Sequence, residues 1–162
     1  SCSLVGSEMC IRDRCSIVVP NYSKSLQKIE SSQPKYYCID NGLRDAVLLP
    51  QSNDDGKKLE NTVFLQLYRQ RTSIDSIFYY QGRGECDFVV QRGIDTHSLI
   101  QVTWDMSDEE TRRREINGLI EASEATGCHN LYIITADSSE EIDLDNGDTI
   151  HVLPAWRWLL EN

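Results

Sequence analysis

The chain has 162 residues, a formal net charge of −10, 40% hydrophobic residues and 26% charged residues. That length allows one domain with a real core, and the composition is that of an ordinary globular protein. So acidic a surface argues against broad, unaided nucleic-acid binding without excluding a small metal-bridged site, and no apolar run approaches the roughly 20 residues of a transmembrane helix.

Residues 15–34 read as a linker from a region further upstream. Within it Ser16-Ile17-Val18-Val19-Pro20 can be a short edge strand, because Pro20 donates nothing to a ladder. Residues 21–34 are polar, with room for a short helix. Residues 35–40, Lys-Tyr-Tyr-Cys-Ile-Asp, predict a buried strand that Asn41-Gly42 ends. A short helix over 43–48 and a loop over 50–56 follow.

The first strong helix is expected over 57–71, with Asp54 or Asp55 as its cap. Leu59, Val63, Phe64, Leu67 and Tyr68 make its apolar face. Glu60 lies in its first turns, where the helix dipole favours an acid; on position alone it reads first as a solvated helix-start residue. Three strands are then predicted over 76–80, 85–91 and 97–104, joined by glycine turns into a meander. Side-chain alternation places Asp87 on one face with Val89, and Gln101 on one face with Thr103.

Ser107, with Glu110 as the reciprocal capping-box residue, is expected to open a second helix running to about Gly127. Its core stripe is Ile116, Leu119, Ile120 and Ala122, and it weakens at Ser123. Arg112, Arg113 and Arg114 form the one dense basic run, expected on a solvated face paired with Glu109 and Glu110. Residues 131–135 are a near-continuous apolar run, typical of a strand covered on both faces. Asn146-Gly147 predicts a hairpin between 140–144 and 149–153, and a short helix over 154–160 closes the chain, its tryptophans packed on the sheet.

Weaker constellations carry less. His97, His129, His151 and Cys128 lack zinc-ligand spacing. Asp143, Asp145 and Asp148 surround the hairpin tip without the calcium-loop pattern. Tyr79, Tyr80, Trp156 and Trp158 can stack bases but read first as packing residues. The six cysteines, Cys2, Cys10, Cys15, Cys38, Cys86 and Cys128, show no CxxC pair and read as reduced thiols. With no secretory-leader pattern, a cytoplasmic location is expected.

Two resemblances add to this reading. Residues 4–14, Leu-Val-Gly-Ser-Glu-Met-Cys-Ile-Arg-Asp-Arg, resemble the conceptual translation of a transposase-based sequencing adapter. That implies that residues 1–14 are non-native and that the reading frame is a fragment from assembled sequence. The nuclease-like domain would then occupy 35–162. The expected fold is α/β or α+β, in the order helix, three-stranded meander, helix, strand, with a terminal hairpin and short helix. That is the core order of the restriction-endonuclease-like, PD-(D/E)XK fold. More narrowly, the blocks at 35–43, 59–61, 85–90 and 100–102 resemble the C-terminal domain, of unknown function, of prokaryotic AAA+-type ATPases.

The second resemblance implies a longer parent in which an ATPase module and a winged-helix region precede this domain. No Walker A segment occurs in the chain, so ATP belongs to that upstream module. An active member of the fold holds Mg²⁺ on carboxylates from the helix and the second strand, and a lysine two residues after a third-strand acid orients the attacking water. Glu60 and Asp87 match the two carboxylates and are the metal-ligand candidates. Gln101 stands for the third-strand acid and Thr103 for the lysine, so the catalytic set Glu60, Asp87, Gln101 and Thr103 reads as vestigial. Lys57, Lys58 or Arg114 can be imagined as replacements for the missing cation.

The expected function is thus a degenerate nuclease-like module for binding or assembly. Its expected partners are its own upstream region, another protein or a second copy. The alternatives are an active Mg²⁺-dependent DNA endonuclease domain and a plain α/β interaction domain.

Overall fold

The computed structural model describes residues 15–25, 32–47 and 54–161. The adapter-like segment, much of the polar stretch after Asn21 and the loop before the first long helix lie outside them. The protein is a mixed α+β fold. Its elements are β1 (Ser16–Val19), β2 (Lys35–Cys38), α1 (Asn41–Val47), α2 (Asp54–Gln70), β3 (Asp75–Gln81), β4 (Glu85–Arg92), β5 (Asp95–Val102), α3 (Glu109–Thr126), β6 (Leu131–Thr135), β7 (Glu140–Asp143), β8 (Thr149–Pro154) and α4 (Ala155–Glu161).

A six-stranded sheet runs in the order β3-β4-β5-β6-β8-β7. The meander β3-β4-β5 is antiparallel. β6 then lies parallel to β5, which requires the crossover that α3 supplies, and β8 lies parallel to β6. β7 folds back antiparallel on β8 through the Asn146-Gly147 turn, where Gly147 takes φ 89°. The acidic side chains of β7 blunt that edge against further pairing.

Each face of the sheet carries its own core. On one, Val63 and Phe64 of α2 meet Phe88, Ile100, Val102, Ile134 and Trp158. On the other, Leu119 and Ala122 of α3 meet Val89, Leu99, Leu131, Ile133, Ile150 and Val152. Burying a side chain as large as Phe64 contributes about 1.5–3 kcal/mol. β6 is covered on both faces, as its unbroken apolar run predicts. Among the described residues no helix is long and apolar enough to cross a membrane.

Several local expectations change. β2 does not enter the main sheet: it pairs with β1 in a two-stranded ribbon in which only Val19 and Tyr37 are buried. The ribbon lies over the α2 face, and the chain leaving it crosses the edge of β3, where Tyr79 N–H donates to Pro20 O and Tyr22 N–H to Tyr79 O. Asn41 and Gly42 open α1 rather than ending β2, and Asp54 and Asp55 fall inside α2. α3 is capped by Asp108, not Ser107: the Asp108 carboxylate accepts from Thr111 N–H, while the Ser107 hydroxyl turns to Asp105. Its far end is as predicted, with Gly127 in the left-handed region at φ 77°.

The buried stripe of α3 is Glu115, Gly118, Leu119, Ala122 and Ser123. Ser123 stays in it because its hydroxyl donates to Cys128 O. Arg112 leaves the solvated face to form a two-pronged pair with Glu140 of β7. Trp158 packs in the core, but Trp156 is largely exposed.

Candidate functional site

The site is built where β4 and β5 part. Phe78 pairs with Val89 and Tyr80 with Cys86, so two residues of β4, Asp87 and Phe88, stand against the single Tyr79. This bulge overturns the simple alternation of the sequence. Val89 faces α3, whereas Asp87 turns to the opposite side, toward α2 and the ribbon. Bulges often re-aim a side chain in this way beside a functional site.

The ladder between β4 and β5 stops at Phe88–Ile100. Beyond it two backbone N–H groups would be left without partners, and side chains take them instead. Asp87 N–H donates to Gln101 Oε1 at 3.0 Å, and Val102 N–H donates to Asp87 Oδ2 at 3.0 Å. An unmet buried donor costs about 1–3 kcal/mol, so both side chains hold the parted strands in place.

Lys35 fills the centre. From the first position of β2 its ammonium lies 2.5 Å from Glu85, 2.9 Å from Asp87 and 3.4 Å from Glu60. It is aimed there by Tyr37, two residues on and on the same side of β2. The Tyr37 ring stacks on Phe64 at 4.3 Å, and its hydroxyl donates to Glu60 Oε1 at 2.7 Å. The end of β2 is fastened to α2 by Asn61, which donates to Cys38 O and to Asn41 Oδ1. The blocks at 35–43 and 59–61 therefore meet in space.

The third side comes from α3. Glu115, buried, accepts from Gln101 Nε2 and from Arg114. Gly118 packs against the β3–β4 turn so closely that an added Cβ would lie 2.2 Å from Glu85 O. Glu121 accepts from Arg83 N–H at 2.9 Å, Gly84 N–H at 2.8 Å and the Tyr80 hydroxyl at 3.1 Å. These contacts fix the turn that presents Glu85. The result is a cleft of about 490 Å³ lined by Lys35, Glu60, Glu85, Asp87, Gln101, Glu115, Arg83 and Arg114, among others.

The electrostatics follow from three carboxylates sharing one ammonium. Burial, then the Glu60 charge, pushes Asp87 up to about 7, against the pull of Lys35 and the Val102 N–H. Burial alone would lower Lys35, but the Asp87 and Glu60 charges and hydrogen bonds to Glu85 and Asp87 outweigh it and hold the ammonium above the usual lysine range. Burial and the same acids push the Tyr37 phenol up, so it stays a donor.

Of the residues singled out in the sequence, Glu60, Asp87 and Gln101 meet in the cleft. Thr103 does not line it: it lies past the end of β5 and its hydroxyl turns to Asp105 O. Lys58 pairs with Asp45, and Lys57 lies on the exposed side of α2. Arg114 does reach the cleft, but as the partner of Glu115. Lys35, Glu85 and Glu115 escaped the sequence reading. The available signal for Lys35 was its two-residue spacing from Tyr37 in a strand.

A divalent cation on the nuclease pattern needs unengaged carboxylate oxygens. Here Asp87 gives one oxygen to Lys35 and the other to Val102 N–H, and one Glu60 oxygen takes both Lys35 and Tyr37. Among the described residues no three His, Cys, Asp or Glu side chains are grouped to hold an ion. The donor set as arranged fits an ammonium and not a metal. The other candidates separate: His129 pairs with Asp148 and His151 with Glu141. The described cysteines, Cys15, Cys38, Cys86 and Cys128, are thiols.

Two relatives share sequence with this chain. A protein of Methanocaldococcus jannaschii, described as uncharacterized, is 31% identical over 147 residues, covering 86% of this chain and 32% of its own length. An uncharacterized protein of Haemophilus influenzae is 26% identical over 127 residues, covering 78% of this chain and 29% of its own length. The chain thus spans about a third of the length of the curated relatives it matches. No family model and no solved structure matches it.

Proposed function

We propose that this chain is the C-terminal, nuclease-like domain of a longer prokaryotic AAA+-type ATP-binding protein, and that it serves binding or assembly rather than cleavage. The element order α2, β3-β4-β5, α3, β6 is compatible with a restriction-endonuclease-like core, and the much greater length of the relatives agrees with a multidomain parent.

The observation that carries the non-catalytic reading is the seat of Lys35. Its ammonium engages Glu60, Glu85 and Asp87 at once. Gln101, in place of an acid, spends its amide on Asp87 N–H and Glu115. These groups knit backbone and strands together and leave neither oxygen of Asp87 unengaged for a phosphate-bound metal.

The test is incubation of the purified protein with supercoiled and linear DNA in Mg²⁺ or Mn²⁺. No cleavage is expected, together with co-purification of this domain with the remainder of its parent. Metal-dependent cleavage abolished by Asp87→Asn would overturn the reading.

One observation favours a second reading, a Mg²⁺-dependent endonuclease. Lys35 supplies, from β2, a cation beside Asp87 that Thr103 does not. In that case Lys35→Met would abolish cleavage while leaving DNA binding in place.

A further inference from the structure

We propose that the far end of the α2 face holds a second binding site, for a small aromatic carboxylate. Arg71 takes the carboxylate, the sheet takes the ring, and the buried Ser98 hydroxyl takes a polar atom at the ring's inner end. The site is separate from the cleft: no residue lines both.

The cavity follows from where the helices end. Gln70, at the end of α2, lies ten residues beyond Glu60, which is about 15 Å along a helix axis. There α2, α4 and the sheet enclose a cavity of about 240 Å³. Ile77, Val90 and Ile100 make it apolar, and Trp158 and the half-buried Tyr132 line it too. Its volume is below that of drug-sized sites, so a single ring is what fits beside these aromatic walls.

Ser98 breaks the apolar row. It opposes Val90 and shares the α2-facing side of β5 with Ile100. It is only 7% exposed, yet among the described residues its hydroxyl makes no hydrogen bond. Elsewhere the buried polar side chains are bonded: Asn61, Asp87, Gln101, Glu115, Ser123 and Thr135 all have partners. A buried hydroxyl without a partner costs stability, and a β-branched apolar residue would suit a strand here better. A ligand atom in the cavity gives the hydroxyl its partner.

Arg71 supplies the charge. The chain has 26 acids against 16 lysines and arginines, yet among the described residues Arg71 has no ion pair. The two acids that line the cavity are already engaged. Asp75 accepts from Arg92 and Thr72, and Glu161 from Arg157. The Arg71 guanidinium lies over the Tyr68 ring at 3.6 Å. That contact orients its plane and leaves its N–H edge for the two parallel bonds a carboxylate makes. One such fork beside two paired acids suits a single negative charge. A phosphate dianion would be repelled by Asp75 and Glu161.

The test is amide NMR on the whole chain with para-hydroxybenzoate as probe. Saturable shifts are expected at Arg71, Ser98 and Ile100, and none at these positions with para-hydroxybenzamide or inorganic phosphate. Arg71→Gln should weaken binding by about tenfold or more, as expected for the loss of a charged hydrogen-bond partner. Ser98→Val should abolish binding without lowering the thermal midpoint, a result that a purely structural hydroxyl would not give. Absence of saturable shifts at the cavity would overturn the proposal. So would equal binding of the neutral amide or of phosphate, or full binding by Arg71→Gln, an exposed change that leaves the core untouched.

Discussion

From Val90 back to Phe88, β4 and β5 form a dry antiparallel pair: Val90 opposes Ser98, Val89 opposes Leu99 and Phe88 opposes Ile100. One residue further, at Asp87, the pair is split, opens onto the cleft and is held by side chains. In the first region stability is hydrophobic area and indifferent to pH. In the second it is a chain of charges and amides from Lys35 through Asp87 and Gln101 to Glu115 and Arg114, in which each member is satisfied only because the next is present. Such a network fixes geometry more surely than it adds stability.

The comparison can be broken in the dry region first. Phe88 is fully buried against the stacked rings of Tyr37 and Phe64, and Phe88→Ala should cost about 3–5 kcal/mol in urea unfolding, equally at pH 5 and pH 8. In the split region, Gln101→Glu restores the acid of the nuclease pattern. It should nonetheless destabilise by about 1–3 kcal/mol at neutral pH, because a carboxylate cannot replace the Nε2 donor to Glu115. That loss should shrink on acidification as one of the facing acids takes a proton. A neutral result would mean that the network is not the strut described above.

The pH profile sharpens the contrast next. Asp87 is raised to about 7 by burial and by Glu60. Through the interval between the ordinary Asp range and 7 the folded state therefore holds a proton that the unfolded state has lost. Stability from this group falls as pH rises through that window. Asp87→Asn should flatten the fall, measured as the urea midpoint from pH 5 to pH 8. The carboxylates held below their usual range, among them Asp75, Asp108 and Glu121, act in the opposite sense. Their contribution is present above that range and is lost as pH drops through it. The smallest effect is expected at the rim. The Glu85 side chain is 41% exposed, and Glu85→Gln should cost less than about 1 kcal/mol in the same assay, since Lys35 keeps Glu60 and Asp87.

Much of the fold is legible in local sequence, because local rules act over a few residues. Alternation and glycine turns mark the meander, Gly127 marks the end of α3, Asn146-Gly147 marks the β7–β8 hairpin, and the unbroken apolar run of 131–135 marks a strand covered on both faces. Where a cap or a partner is chosen from afar, the same rules miss. Asp108 displaces Ser107 at the start of α3, and Arg112 finds Glu140, 28 positions away, rather than its own helix neighbours.

The site divides in the same way. The family resemblance carried by the sequence marked Glu60, Asp87 and Gln101 as neighbours; their spacing alone did not. Only the tertiary structure decided what they do. The β4 bulge, set by pairing with β3, swings Asp87 away from Val89 and toward α2. The ribbon then delivers Lys35 across 52 residues of chain to meet it, and packing of Gly118 against the β3–β4 turn brings Glu85 and Glu115 to the same cleft. Local periodicity specifies which way a side chain leaves its own strand. It carries no information on which distant strand is laid beside it, and the charge balance of this cleft is set by that choice.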